Sequence, residues 1–432
     1  MAKVVIPLGP QHPALKEPAN FALSLDGERI IGAAVNLGYN HRGVEKACES
    51  RNYTQILYLL ERVCGICSHS HSTAYTQAVE EIAGIFAPER AQWIRCLVAE
   101  LERLHSHMLW LGVAGHEIGF DTLFMYSWRD REIVMDSLAA LTGNRVNYGL
   151  NKFGGVRWDV TSEAAAQIRS AVDQLQKNFE FYLDLAANDR TLAARLLDVG
   201  HLSHDDAITY SAAGPTLRAS AVDRDIRRDD PYSAYASIPL NVITDDHCDV
   251  FGRTVVRVKE LVVSLDIIRF ILDNLPEGPL EVKFPRKVPT GEALSRYEAP
   301  RGEDVHYVQA NGTDKPARVK VRAPTMANAA SVALMLQGNY LADVPIIVAA
   351  IDPCFSCTDR SISLVDLGSG REGSIDWLSL RQYSIDWYRE RDVNFGDLVP
   401  GGVGGGAGGV GLSLAKKDSW RDAAALRLLQ GM

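Results

Sequence analysis

The sequence predicts an α+β fold: a predominantly helical bundle with small antiparallel β elements near the amino terminus and at about residues 293–322. Three long segments carry apolar residues at spacings of three and four, the pattern of amphipathic helices that pack into bundles. Asp26-Gly27 and Asn311-Gly312 each precede a run suited to a strand, and such pairs are strong signals of tight hairpin turns. These patterns favour a helical core with a small sheet near each end of the chain.

The first 40 residues predict β structure. Residues 4–7 form a short apolar run, and residues 21–25 and 30–37 flank the Asp26-Gly27 turn. Between them, residues 9–18 contain three prolines. Because proline fixes its backbone and donates no hydrogen bond, we expect this segment to be a stiff loop without regular structure.

From about residue 43 to residue 275 the chain is predicted to be mostly helical. Pro88 opens the first long helix, Thr161 is placed to cap the second, and the third covers roughly 249–274, just before Pro276. Each carries a continuous apolar stripe, so we expect the three helices to pack side by side.

After the second β region, Pro324 starts another helix, and the apolar run 344–351 leads into the last pair of cysteines. Residues 401–411 (GGVGGGAGGVG) have the composition of a flexible linker. We therefore expect a single domain over residues 1–360, followed by a carboxy-terminal extension, 361–432, that contains this linker.

Bulk composition excludes several classes of function. The 432 residues are 47% hydrophobic and carry a formal net charge of −9, which argues against nucleic acid as a partner. No run of about 18 apolar residues is present, so we expect no membrane-spanning segment. The chain contains seven cysteines, an odd number, and shows no export signal. Both observations argue against a fold held together by disulfides.

Four of the seven cysteines form two Cys-x-x-Cys pairs, Cys64 with Cys67 and Cys354 with Cys357. This spacing lets two thiolates converge on one ion, and four sulfur donors suit zinc, iron–sulfur, copper(I) or nickel. Neighbouring arginines would favour the thiolate form; here they are Arg62 and Arg360. The other three are expected to be buried apolar thiols: Cys48, Cys96 and Cys248.

Spacing alone leaves three interpretations of the pairs open. A structural zinc site is the commonest use of paired Cys-x-x-Cys motifs, although zinc modules usually place their pairs within a few tens of residues. A thioredoxin-like redox pair needs a βαβ setting, which the helical surroundings do not supply. Two unrelated pairs of buried thiols are the third interpretation.

Residues 62–71 (RVCGICSHSH) and 352–357 (DPCFSC) resemble the two metal-binding signatures of nickel–iron hydrogenase large subunits, in the expected order. The resemblance covers about residues 3–360 and implies that family's fold. Further landmarks that match are residues 9–13 (GPQHP), 41–45 (HRGVE), 106–107, 143–145 (GNR), 154–155 and 298–302 (EAPRG).

The subfamily can be narrowed further. GPQHP and residues 143–159 look as much like the quinone-pocket (49 kDa-type) subunit of respiratory complex I, which lacks the cysteines. A chain with both features resembles the group 4, membrane-bound energy-converting hydrogenases, which include the ferredoxin-linked and carbon-monoxide-induced enzymes.

By this resemblance, the four paired cysteines hold a NiFe(CN)2(CO) centre. Cys64 and Cys354 would bind nickel terminally, whereas Cys67 and Cys357 would bridge nickel and iron. The iron would carry carbon monoxide and cyanide installed by maturation enzymes.

The resemblance also implies roles for five residues around the metals. Glu17 would accept and pass on the proton, and Arg301 would overhang the open coordination position. Asp352 would orient Arg301 or the Cys354 loop, and His71 would donate a hydrogen bond to a bridging sulfur. Glu45 resembles a ligand of a magnesium or iron ion near the mature carboxy terminus.

The implied activity is the interconversion of H⁺ and H2, with evolution of H2 from reduced ferredoxin coupled to ion translocation. Implied partners are a small iron–sulfur subunit, complex I-like membrane subunits, ferredoxin and a maturation protease. Residues 361–432 would either be removed by this protease or be retained as an appendage. The chain would sit peripherally on the cytoplasmic side of the cell membrane. Two alternatives are a complex I-like quinone-pocket subunit without hydrogenase activity and a zinc-stabilised scaffold.

Overall fold

The computed structural model describes residues 4–358, 363–365, 372–374, 382, 386, 389 and 390. The chain divides into two compact units, one of residues 1–40 and 44–359 and the other of residues 41–43 and 360–432. In the second unit, the structure describes two short antiparallel strands. The Gly-rich segment 401–411 lies outside the described residues, so the linker and the extension that contains it stay predictions.

The long elements follow the predicted order, but a two-stranded hairpin after residue 150 and a largely irregular stretch over 197–249 interrupt the region that was predicted to be mostly helical. The strands are β1 (Val4–Leu8), β2 (Asn20–Asp26), β3 (Arg29–Asn36), β4 (Asn151–Lys152), β5 (Gly155–Val156), β6 (Gly291–Ala299), β7 (Gly302–Ala310), β8 (Pro316–Arg322), β9 (Ser363–Val365) and β10 (Glu372–Ser374). The α-helices are α1 (Val44–Cys48), α2 (Tyr53–Glu61), α3 (Ser68–Ala83), α4 (Glu89–Glu117), α5 (Asp121–Thr142), α6 (Ser162–Asn188), α7 (Arg190–Leu196), α8 (His204–Thr209), α9 (Pro215–Arg218), α10 (Ile226–Asp229), α11 (Val250–Asn274), α12 (Pro324–Leu336), α13 (Val344–Ala350) and α14 (Phe355–Thr358). Two 3-10 turns cover Tyr235–Ser237 and Leu341–Asp343.

The amino-terminal sheet has the order β1-β2-β3, with antiparallel pairing throughout. Strand β2 alternates buried and partly buried residues, so that Phe21, Leu23 and Leu25 all enter the core. The Asp26-Gly27 pair lies at the β2–β3 hairpin, as predicted. Helix α12 packs against β3.

The bundle is built on α4, which is buried along most of its length and packs against α5 and α11. Helix α6 packs against both α11 and α5. The Thr161 side chain accepts a hydrogen bond from the Ala164 N–H and so caps α6, as its position in the sequence predicts. None of the helices that the structure describes has the length and apolarity needed to cross a bilayer.

The second sheet has the order β6-β7-β8, and α3 packs across β6 and β7. This sheet, α2 and α3 enclose a separate apolar core that includes all four paired cysteines. The apolar run after residue 343, whose type the sequence leaves open, is the helix α13, with Pro345 in its first turn. The fold therefore brings the turn before α3 and the segment after α13 to one buried place.

Candidate metal centre

The two cysteine pairs meet although nearly 300 residues separate them. The Cys354 sulfur lies 3.4 Å from the Cys64 sulfur and 2.8 Å from the Cys357 sulfur. The sulfurs of Cys64, Cys67 and Cys357 all lie within 4.8 Å of one another. Since metal–sulfur bonds are about 2.3 Å long, sulfurs at these separations can share one small cluster.

Helix termini create this convergence. Cys67 is the residue that precedes α3, and the N–H groups of Ile66 and Cys67 each point at the Cys64 sulfur from 3.3 Å. Amides at a helix amino terminus stabilise negative charge, so this turn favours a thiolate. On the other side, the Cys354 N–H donates to Thr325 Oγ1 in the first turn of α12 at 3.0 Å, which ties the second pair to the core.

The thiols are reduced and sealed from solvent, with exposures of 6% or less. Hydrogen bonds from the other three thiols hold the pKa of Cys64 well below its usual range, and the Arg301 guanidinium lowers it further. The expectation that Arg62 favours the thiolate form of Cys64 is wrong, because the Arg62 side chain is 56% exposed and pairs with Glu61. Cys48 and Cys96 are buried, as expected, whereas Cys248 is half-buried.

The donor set determines which metals fit. Four soft sulfurs suit zinc, copper(I), nickel or iron and disfavour magnesium or calcium. The buried Arg301 cation compensates part of the negative charge of the thiolates, whichever of these metals they hold. The residues present therefore fit a sulfur-ligated nickel–iron cluster.

Arg301 and Asp352 form a fixed pair beside the sulfurs. The Arg301 Nη2 donates to Asp352 Oδ1 at 2.8 Å, Nε donates to the Asp352 carbonyl at 2.8 Å, and Nη1 donates to Ser106 Oγ at 3.1 Å. Gly302, at φ +123°, allows this loop to approach Gly214, where a Cβ would meet backbone atoms at 2.6 Å. The structure thus places Asp352 against Arg301, as the sequence predicts.

Glu17 reaches the site from the amino-terminal loop. Its two carboxylate oxygens accept hydrogen bonds from the Ser356 N–H, at 3.0 Å, and from the Ser356 hydroxyl. Glu17 is half-buried and lines a cavity of about 350 Å³ together with Cys64, Cys354 and Arg301. A carboxylate therefore lies between the buried thiols and the solvent. The local sequence alone would predict a solvated loop residue at this position.

His71, in the first turn of α3, contacts the second cysteine pair. Its Nε2 lies 3.4 Å from the Cys357 sulfur, and its Nδ1 faces Asp304 and His306 on β7. Sequence reasoning missed these two β7 residues. A signal was present, because the alternation of a strand places Asp304 and His306 on the same buried face as Val308.

Glu45 lies on α1, where its carboxylate accepts from the Val321 N–H at 3.0 Å and pairs with Lys320 at 3.2 Å. Within the described part of the chain, Glu45 belongs to no group of side chains arranged to hold a metal. Arg360 lies outside the described residues. The structure therefore does not bring Glu45 together with the other predicted site residues.

Two known protein families match different parts of the chain. The nickel-dependent hydrogenase family matches residues 42–112, which include the first cysteine pair. The 49 kDa subunit of respiratory-chain NADH dehydrogenase matches residues 117–288 and 282–360. The dual resemblance predicted from the sequence is confirmed.

Individual relatives cover nearly the whole chain. The membrane-bound hydrogenase subunit alpha of Pyrococcus furiosus is 43% identical over 93% of this chain and 97% of its own length. The carbon monoxide-induced hydrogenase of Rhodospirillum rubrum is 37% identical over 83% of this chain and all of its own length.

Among solved structures, a chain of the archaeal membrane-bound sulfane sulfur reductase superposes with a TM-score of 0.79 at 34% identity, over 83% of this chain and 98% of that one. The predicted helical fold with small antiparallel sheets is thereby confirmed. Since that complex is named for a different reaction, the chemistry depends on the site residues rather than on the fold. The chain belongs to the nickel-dependent hydrogenase family, in the branch related to the 49 kDa subunit of respiratory NADH dehydrogenase, and is an oxidoreductase of the hydrogenase type.

Proposed function

We propose that this chain is the catalytic subunit of a membrane-associated nickel–iron hydrogenase that evolves H2 from reduced ferredoxin and couples the reaction to ion translocation. The single observation that carries the proposal is the convergence of four buried thiols beside the Arg301 cation. A complex I-like subunit that only shapes a quinone pocket has no need of four sulfur donors. The hydrogenase names of relatives that cover most of the chain point the same way.

In this proposal, the four cysteines would together hold a NiFe(CN)2(CO) centre, Cys64 and Cys354 as ligands of nickel alone and Cys67 and Cys357 as ligands of both metals. When bound, that centre supplies the redox chemistry of hydrogen. The protein supplies a dry, sulfur-lined enclosure, since all four side chains are almost fully excluded from water.

Arg301 acts as a fixed cation at the edge of this enclosure. Asp352 holds its guanidinium in a two-point contact, and the neighbouring thiolates and Asp352 raise the Arg301 pKa although burial alone would lower it. The side chain therefore stays charged and cannot swing away, which is what preorganised electrostatic stabilisation requires.

Glu17 holds and moves the proton. Its carboxylate oxygens lie at the wall of the cavity beside Cys354, and Ser356 fixes both of them. Half-exposure lets the same group exchange a proton with the outside. A carboxylate in this position has the reach and the access that a general acid–base needs.

The three cysteines outside the site indicate what a partner subunit must contribute. Cys48, Cys96 and Cys248 form no second group of ligands within the described part of the chain, so electrons must arrive through a small iron–sulfur subunit. We further propose complex I-like membrane subunits, a peripheral position on the cytoplasmic side, and removal of residues 361–432 by a maturation protease. A magnesium or iron ion at Glu45 would have to displace Lys320 from its carboxylate.

The test is H2 evolution by the purified complex with reduced ferredoxin as donor. Cys354→Ser removes one sulfur from the cluster and should abolish activity together with nickel content. Cys248→Ser, which changes a half-buried thiol outside the site, should leave both unchanged. A nickel-free complex that evolves no hydrogen, expressed with the maturation enzymes, would contradict the proposal and favour the quinone-pocket alternative.

A further inference from the structure

A second buried polar group lies directly behind the thiols. It consists of His71 on α3 with Asp304 and His306 on β7, all at most 1% exposed. Asp304 Oδ2 lies 3.0 Å from His71 Nδ1 and 3.1 Å from His306 Nε2, and the two ring nitrogens lie 3.1 Å apart. The group is therefore compact, and His71 connects it to the metal site.

The elements that hold these side chains are rigid. Strand β7 is the central strand of its sheet and is paired on both sides, by β6 and by β8. His71 lies in the first turn of α3, where its N–H donates to the Cys67 carbonyl at 3.3 Å. A carboxylate on a central strand thus faces a ring that is fixed beside a cysteine pair.

A histidine can orient a metal-binding sulfur only if its own ring is held. The His71 ring presents Nε2 to the Cys357 sulfur at 3.4 Å, and its opposite nitrogen lies 3.1 Å from His306 Nε2 and 3.0 Å from the Asp304 carboxylate. Metal sites commonly use such a carboxylate–histidine pair to fix ring orientation and tune the metal. The two histidines lower the pKa of Asp304 although burial alone would raise it.

We propose that Asp304, together with His306, is a positioning residue that locks the His71 ring against the Cys357 sulfur and so sets the electron density at that ligand. The inference rests on the proposed function, because it takes Cys357 as a ligand of the nickel–iron centre. His306 packs its ring against His71, with centroids 5.3 Å apart, and blocks rotation of the ring away from the sulfur.

The test is infrared spectroscopy of the assembled complex in the CO and cyanide stretching region. Asp304→Asn keeps the size of the side chain and removes its charge, and should shift these bands. His306→Gln should shift them in the same direction. Glu292→Gln is the matched control, since it removes a carboxylate that accepts from Tyr307 at the exposed side of the same sheet, and its bands should coincide with those of the wild type.

Kinetics provide a second measurement. Changes behind metal ligands typically cost about 10- to 100-fold, and we expect Asp304→Asn to lower kcat by that order while the KM for the electron donor stays unchanged. In a His71→Gln background, Asp304→Asn should add no further band shift, because its effect passes through that ring. Additive shifts would overturn the proposal.

The outcomes separate this inference from the proposed function. Absence of CO and cyanide bands in the wild type would refute the proposed function. Wild-type bands that stay unmoved in Asp304→Asn would overturn only the positioning role. Should Asp304→Asn retain no nickel, His306→Gln decides in its place, since it leaves the Asp304 carboxylate intact, and unmoved bands there would overturn the proposal.

Discussion

Replacing Arg301 by lysine tests whether the fixed cation is a working part of the site. Arginine donates three hydrogen bonds here, at 2.8, 2.8 and 3.1 Å, from a side chain that is 3% exposed. A single ammonium group keeps the charge but cannot span all three acceptors. Two lost bonds to a charged group, at about 1.5–3 kcal/mol each, predict a loss of roughly 3–6 kcal/mol from the free energy of unfolding.

The catalytic effect should be of the same order as this loss of stability, because a change in rate of about 10²–10³-fold corresponds to about 2.7–4 kcal/mol. Removing one fixed electrostatic donor from an active site typically costs about 10²–10³-fold in kcat, and we expect that range for Arg301→Lys. The assay is H2 evolution with a reduced viologen, normalised to bound nickel and paired with chemical unfolding. Arg296→Lys, a partly exposed change on β6, is the control and should lose little of either quantity. Near-wild-type turnover per nickel in Arg301→Lys would show that the fixed guanidinium contributes nothing to catalysis.

Three further predictions follow from the structure. Glu17→Gln keeps the shape of the side chain that Ser356 binds but cannot carry a proton. H/D exchange should therefore fall by about 10²-fold or more at unchanged nickel content. Unchanged exchange would exclude Glu17 as the proton carrier. Burial, together with Arg131 and Arg301, lowers the pKa of His105 to about 3. In the unfolded state the pKa of His105 is near 6.5, so below that pH the unfolded state binds more protons than the folded state. The contribution of neutral His105 to stability is therefore fully present above pH 6.5, and the free energy of unfolding falls by about 2 kcal/mol between pH 6.5 and 5. Urea unfolding at both pH values should show a flatter dependence in His105→Gln, and an equally steep one would contradict the assignment. Thr161→Ala removes the α6 cap and should cost about 1 kcal/mol in the same assay, without loss of nickel; a wild-type midpoint would show that the cap contributes nothing.

Local sequence patterns were sufficient for several long elements of this fold. The Asp26-Gly27 turn, the Thr161 cap and the start of α4 after Pro88 lie where short-range physics places them. The type of the run 344–351 could not be decided, because a short apolar segment suits a buried strand or helix equally well. It is a helix that positions Asp352 and the second cysteine pair.

The site was predictable only where a residue lies close to a motif along the chain. The four cysteines and Arg301 were found from motifs, but the partners that orient them come from distant segments. Asp304 and His306 carry no motif of their own, and only the packing of α3 on β7 brings them to His71. Arg62 illustrates the opposite case. It lies close to Cys64 in the sequence, but its side chain is exposed and pairs with Glu61.

The proposed function depends on sulfurs from two distant segments of the chain sharing one nickel ion. X-ray absorption at the nickel K-edge measures this most directly, because the first coordination shell reports how many sulfurs bind. We predict a shell of four sulfurs with iron as a neighbour, and loss of the nickel signal in Cys64→Ser, as in Cys354→Ser. A shell made mainly of nitrogen and oxygen, or a fully folded wild-type chain that holds zinc in place of nickel, would contradict this prediction.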